Sequence, residues 1–172
     1  MVGTLDWEPA NERRDLLADP VAAAIGGLPG AETAGIDPDL ADTAAFCERY
    51  GVPLDVSANC VVVAAKRGGE VAHAACMVLA TGRADVNGVV RKHLGARKVS
   101  FAPMADATSL TGMEYGGITP IGLPAGWPLL VDEAVAAAPH VVIGSGLRRS
   151  KILLPGKALA GLPGAEVIAL AR

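Results

Sequence analysis

The residues best placed to do chemistry in this 172-residue chain lie in two glycine-rich segments. The first is Glu114-Tyr-Gly-Gly-Ile-Thr-Pro-Ile-Gly-Leu-Pro124, with three glycines and two prolines among eleven residues. Glycine opens backbone shapes closed to other residues, and proline fixes φ and removes a donor. Apolar residues between them argue for a rigid loop rather than a solvated one. Such a loop offers main-chain amides to a carbonyl, a carboxylate or a terminal nucleotide; it also suits a tight structural turn. The second segment, Gly144-Ser145-Gly146, follows an apolar run and reads as an anion or oxyanion nest or as a plain turn. Asp132 follows another run, Leu129–Val131. There it either points into a site or caps a turn at Glu133–Ala137.

Other chemistries lack their signatures. There is no G-x-S-x-G nucleophile elbow, no Walker A loop, no H-E-x-x-H and no G-x-G-x-x-G opening a helix after a strand. His73, His93 and His140 are isolated and read as structural or solvated. Cys47, Cys60 and Cys76 have no C-x-x-C spacing, which predicts reduced core thiols and no zinc site. Basic residues gather as Lys66-Arg67, Arg91-Lys92, Arg97-Lys98 and Arg148-Arg149 with Lys151. Shared on one face, they would neutralise phosphates and make binding salt-dependent.

These residues need a scaffold. Asp19-Pro20 predicts a capped helix over Val21–Ile25, and Asp42 a capped helix through Tyr50 with Gly51 beyond its end. The first 57 residues read as helical and connecting material. Cys60–Ala65 and Val71–Ala80 predict a β-hairpin around the polar turn Lys66–Glu70. Val86, Val89, Val90 and Leu94 recur at helical spacing over Asp85–Leu94. Further strands are expected at Lys98–Phe101, Leu129–Val131, His140–Ile143, Lys151–Leu154 and Val167–Leu170, with a short helix over Ala105–Leu110. Irregular interspersion of strands and helices predicts a single α+β domain around a curved mixed β-sheet.

Composition sets outer bounds. Half of the chain is apolar but only 3% is aromatic, so the core is aliphatic and base stacking has no platform. No apolar run reaches the ~18 residues of a membrane helix. No signal-peptide pattern opens the chain, which predicts a cytoplasmic protein. The net charge of −3 is divided unevenly. Residues 1–57 hold eleven acidic and three basic side chains, and residues 58–172 seven and twelve. Such asymmetry fits either a polyanion-binding face or an acidic solvated layer.

In order, the hairpin from Cys60, Arg91-Lys-His-Leu-Gly-Ala-Arg-Lys98, Leu110-Thr-Gly-Met-Glu-Tyr-Gly-Gly-Ile-Thr-Pro-Ile-Gly122, Leu130-Val-Asp-Glu133 and Val142-Ile-Gly-Ser-Gly146 form a set. The set resembles the YbaK/prolyl-tRNA-editing-domain family of aminoacyl-tRNA deacylases over roughly residues 37–165. The resemblance implies an editing domain over 37–172 behind a helical extension at 1–36. It implies hydrolysis of the ester joining a wrong amino acid to a tRNA 3′ end, with no cofactor, no metal and no membrane. Gly116, Gly117 and Gly146 would supply oxyanion donors. Ile118, Thr119, Pro120, Gly122, Asp132, Gly144 and Ser145 would bind substrate. Lys66, Arg67, Arg97, Lys98 and Arg148 would hold tRNA. One departure stands out: the family's lysine before the first hairpin strand falls at or near Asn59. Asn59 then either orients substrate in a variant site or marks a module that binds tRNA ends or aminoacyl-nucleotides without turnover. A small-molecule ester or amide hydrolase is a third reading.

Overall fold

The computed structural model describes residues 2–172. The strongest local signal, the hairpin, gives the longest elements: β3 (Ala58–Arg67) and β4 (Glu70–Leu79). Their register pairs Arg67 with Glu70 across Gly68-Gly69. Both glycines have positive φ, 57° and 84°, which a two-residue hairpin turn of matching twist demands. β5 (Lys98–Phe101) joins the outer side of β3 antiparallel. β6 (Leu129–Asp132) pairs parallel with β4, and β9 (Ala165–Ile168) parallel with β6. The expected mixed sheet is therefore β5-β3-β4-β6-β9.

A second sheet, wholly antiparallel, runs β1-β2-β8-β7. β7 is Val141–Gly144 and β8 is Ser150–Leu154. β1 (Glu8–Pro9) and β2 (Glu32–Gly35) come from the segment expected to be helical. Glu-Thr-Ala-Gly has little strand propensity of its own, and its pairing with β8 makes it a strand. A parallel bridge between Ser57 and Val142 links the sheets.

Strand alternation divides the core into three clusters. Ala75, Met77, Leu129 and Val131 of one sheet meet Val141, Ile143, Ile152 and Leu154 of the other. Behind the mixed sheet, Val63, Cys76, Val78 and Leu130 pack on Val86 and Val90. Behind the antiparallel sheet, Val142 and Leu153 pack on Phe46 and Cys47 of α2 (Thr43–Tyr50). Cys60 faces the first cluster and Cys76 the second, so the two thiols lie on opposite sides of the hairpin. All three cysteines are free.

Helical details differ from the expectations. α1 (Asp19–Ala24) has Ala18, not Asp19, at its N-cap, which leaves Pro20 inside the first turn. Asp42 occupies the N-cap of α2, but its side chain makes no capping bond there. Asp85 does cap, accepting from Gly88 and Val89. Its helix opens as a π-turn, Val86–Val90, before α3 (Arg91–Leu94). α4 (Met104–Thr111), α5 (Glu133–Ala137) and α6 (Gly156–Ala160) complete the fold. No helix among the described residues is long and apolar enough to cross a membrane.

Candidate functional site

The start of β3, the N-terminal end of α2, the loop after α4 and the β7–β8 pair converge on a cavity of about 640 Å³. That volume lies within the range of small-ligand sites. Of the sequence-predicted residues, Asn59, Gly116, Ile118 and Gly144 line it together. Asp42, Thr43, Leu54, Cys60, Tyr115 and Lys151 also line it.

Backbone packing shapes this space. Gly144 sits opposite Lys151 in the β7–β8 register, on the α2 face that Val142 and Leu153 share. A Cβ on Gly144 would stand 2.5 Å from the Gly117 carbonyl oxygen, and one on Gly117 would stand 2.7 Å from the Leu147 carbonyl. The two loops touch only because neither position has a side chain. The same closeness consumes amides expected to face a ligand. Gly117 donates to the Glu114 carbonyl at 3.0 Å, and Gly146 to the Gly117 carbonyl at 2.6 Å. Gly117 and Gly146 are thus scaffold rather than free donors. No backbone carbonyl among the described residues takes the Gly116 N–H, and Gly116 reaches the cavity wall at φ 89°.

The side chains around the cavity are held unevenly. The Thr43 hydroxyl donates to Asn59 Oδ1 at 2.6 Å, which leaves the Asn59 NH2 group for a ligand. Lys151 extends into the cavity wall from β8, only 7% exposed. Its ammonium donates to the Ala41 carbonyl at 3.1 Å and stands 4.9 Å from the centre of the Phe46 ring. No carboxylate among the described residues pairs with it. Burial pulls its pKa down to about 8, against weaker upward pulls from Cys47 and Asp42, and Arg148 adds to the lowering. Burial also pushes the Cys60 thiol well above its ordinary range, so Cys60 presents no thiolate here.

Other predicted residues lie elsewhere or are committed. Thr119 is buried between the loops, and its hydroxyl is the buried side-chain oxygen without a partner among the described residues. Pro120 and Gly122 line a second cavity of about 520 Å³ with Leu28, Trp127 and Leu162. The Ser145 hydroxyl bonds to Ser150 Oγ at 2.6 Å and to Leu147. Asp132 caps α5 through Ala134 and accepts from Leu170 and Ala171, so its carboxylate is saturated inside the fold. The capping alternative holds for Asp132, and it does not join the cavity.

Arg148 works as a staple. Its guanidinium donates to the Tyr115 and Pro38 carbonyls at 3.1 and 3.0 Å, and its amide to Glu114 at 2.8 Å. It closes one wall of the cavity against the other. Lys66, Arg67, Arg97 and Lys98 form a separate exposed cluster at the far end of β3. Lys66 and Lys98 are direct cross-strand partners, and the Arg97 amide donates to the Lys66 carbonyl. Lys66 lies seven residue steps along the strand from Asn59, about 23 Å at the usual rise. Of the histidines, His73 stacks on Trp127 and His93 bonds to Glu166 at 2.9 Å.

Lys151 escaped the sequence reading because it follows Arg148-Arg149 and passes for the end of a surface charge run. The available signal was its place in Ser-Lys-Ile-Leu-Leu, where every residue is buried.

Three solved structures share the fold. A proposed trans-editing enzyme for prolyl-tRNA synthetase aligns over 90% of this chain and 96% of its own, at 22% identity and a TM-score of 0.77. A hypothetical protein aligns over 90% and 100%, at 19% identity and a TM-score of 0.79. A scaffold from computational epitope grafting aligns over 90% and 97%, at 22% identity and a TM-score of 0.77. The aminoacyl-tRNA editing domain model matches residues 37–162, which takes in the cavity, its glycine loops and the basic cluster. The chain belongs to the aminoacyl-tRNA editing domain family.

Proposed function

We propose that this protein is a trans-acting editing deacylase that hydrolyses the ester bond of mischarged tRNA in the cavity between β3, α2 and β8. The observation that carries this reading is the charge inventory of the cavity wall. It contains one carboxylate, Asp42, and one cation, Lys151, among polar and backbone groups. An aminoacyl ester presents an α-ammonium beside a carbonyl, and Asp42 without a capping bond suits the ammonium. Gly116 offers an amide and Asn59 an NH2 group toward the acyl and ribose oxygens. Water adds to the carbonyl carbon, and the tetrahedral intermediate expels the ribose oxygen. That oxygen takes up a proton from the attacking water as it leaves, giving free amino acid and uncharged tRNA. An aminoacyl ester is already activated, so orientation and charge stabilisation account for most of the required acceleration.

The cluster at the far end of β3 supports a tRNA substrate. Four exposed cations stand there without ion pairs among the described residues. Like charges directly opposed on neighbouring strands repel, and a phosphate backbone relieves that repulsion. A substrate with its 3′ end in the cavity and its stem along β3 would reach both. Editing by a separate site is needed because pockets separate similar amino acids by only ~1–3 kcal/mol. The test is loss of the ester bond across a panel of misacylated tRNAs. Release of free amino acid from at least one member is expected, and no acceleration with any member would refute the reading. Salt-sensitive tRNA binding without turnover would favour the non-catalytic module instead.

A further inference from the structure

The buried lysine of β8 has no structural work that requires its charge. Lys151 points to the α2 face by strand alternation, beside Leu153, where an apolar side chain would pack as well. Phe46 covers one side of its ammonium and Ala41 accepts one hydrogen bond. Two of its three N–H donors have no partner among the described residues. A cation in this position loses hydration and gains no carboxylate in return. Its remaining exposure is to the cavity, whose wall it shares with Asn59, Gly116 and Gly144.

We infer that Lys151 is the cationic catalytic residue of this cavity, donating a hydrogen bond to the carbonyl oxygen of the ester. This rests on the deacylase reading above and names the group that carries the developing charge. As water bonds to the carbonyl carbon, the π electron pair moves to the oxygen, and the ammonium meets the charge formed there. When the carbon–ribose oxygen bond breaks, the pair returns to rebuild the carbonyl. The proton of the attacking water ends on the ribose oxygen, and Lys151 keeps all of its own. Its place on β8 makes the charge independent of Asn59 on β3, where the sequence lacks a lysine. In a site of low dielectric one such donor is worth about a hundred- to a thousandfold in turnover.

The charge is also near its limit. With a pKa of about 8, the ammonium is lost just above neutral pH. The charged or titratable groups facing it are Asp42 and Cys47 from α2 and its cap, and Arg148 from the β7–β8 turn. Turnover should therefore fall as pH rises through about 8, and the Lys151→Met variant should lack that limb.

The experiment compares the parent, Lys151→Met and Lys151→Arg. It uses whichever misacylated tRNA the parent hydrolyses, together with the amide analogue 3′-deoxy-3′-(L-alanylamino)adenosine. Thermal melts confirm that each variant folds. Lys151→Met should lower kcat at least a hundredfold with KM within about threefold, and Lys151→Arg should recover part of the loss. A Lys151→Met variant within threefold of the parent would overturn the inference. If the parent hydrolyses no member of the panel, the deacylase reading fails separately, and the analogue decides the lysine. A tenfold or greater loss of analogue affinity in Lys151→Met would support the contact, whereas unchanged affinity, or no binding by the parent, would overturn it.

Discussion

The two ends of β3 hold positive charge in opposite ways. At the Asn59 end the cation is Lys151, single, buried and backed by an aromatic ring. At the Arg67 end four cations stand exposed, two of them directly opposed across strands. Buried charge is little screened by salt, and exposed charge is screened within about 8–10 Å at ordinary ionic strength. One end is therefore suited to act on a bond and the other to hold a polyanion at a distance. The difference teaches that counting basic residues along the sequence mixes two functions. Lys151 and Arg148 are neighbours in a charge run, yet one faces the cavity and the other staples its walls.

Substitutions separate the ends, and the largest effect should come from the cavity floor. Gly144→Val drives a branched side chain against the Gly117 and Ile118 carbonyls and displaces the loop that forms the cavity wall. It should abolish turnover and lower stability by about 1–3 kcal/mol, read by deacylation assay and denaturant titration. Replacing Lys66, Arg67, Arg97 and Lys98 together by Gln should weaken tRNA binding about ten- to a hundredfold at moderate salt. The slope of log affinity against log salt should shrink by about three. A patch variant with parental salt dependence would break the comparison. Asn59→Ala removes one neutral hydrogen bond and should cost about tenfold in kcat/KM, with little change in stability.

The last effect is in stability and has the opposite sign to activity. Lys151 has a folded pKa lowered from 10.5 to about 8, so the folded state disfavours its charged form. Between about pH 8 and 10.5 the unfolded chain binds more protons than the folded one. Stability of the parent should therefore rise with pH across that window and be lowest, as far as this group is concerned, below it. Lys151→Met should lack the rise and be more stable at neutral pH, by an amount on the order of 3 kcal/mol at most. Urea titrations at pH 7 and pH 10 check both statements. A less stable Lys151→Met at pH 7 would show that the ammonium works for the fold rather than for the site.

How far the sequence could be read follows from where each residue's conformation is decided. The hairpin was legible because its Val-rich runs and glycine turn act locally. Asp85–Leu94 was legible as a helix, but its π-turned opening was not, because packing onto the back of the mixed sheet sets it. β1 and β2 were invisible because partners more than a hundred residues away make β2 a strand. At the site, the glycines and prolines of Glu114–Pro124 mark a built loop. Whether its amides point outward depends on contacts with Gly144 and Gly146 that no spacing reveals. Those contacts make Gly117 and Gly146 into scaffold. The acidic N-terminal segment buttresses the same region: the Ala18 amide donates to the Ser145 carbonyl, and Arg149 donates to the Asp15 carbonyl.

The division between a reacting end and a holding end is tested most directly with a substrate too small to reach both. The measurement is the rate of ester hydrolysis of 3′-aminoacyl-adenosine, which carries no phosphates, by the parent, the four-fold Gln variant and Gly144→Val. The account predicts equal rates for the parent and the Gln variant, and none above background for Gly144→Val. A Gln variant that loses its rate on this substrate, or a Gly144→Val variant that keeps it, would contradict the assignment of the chemistry to the cavity.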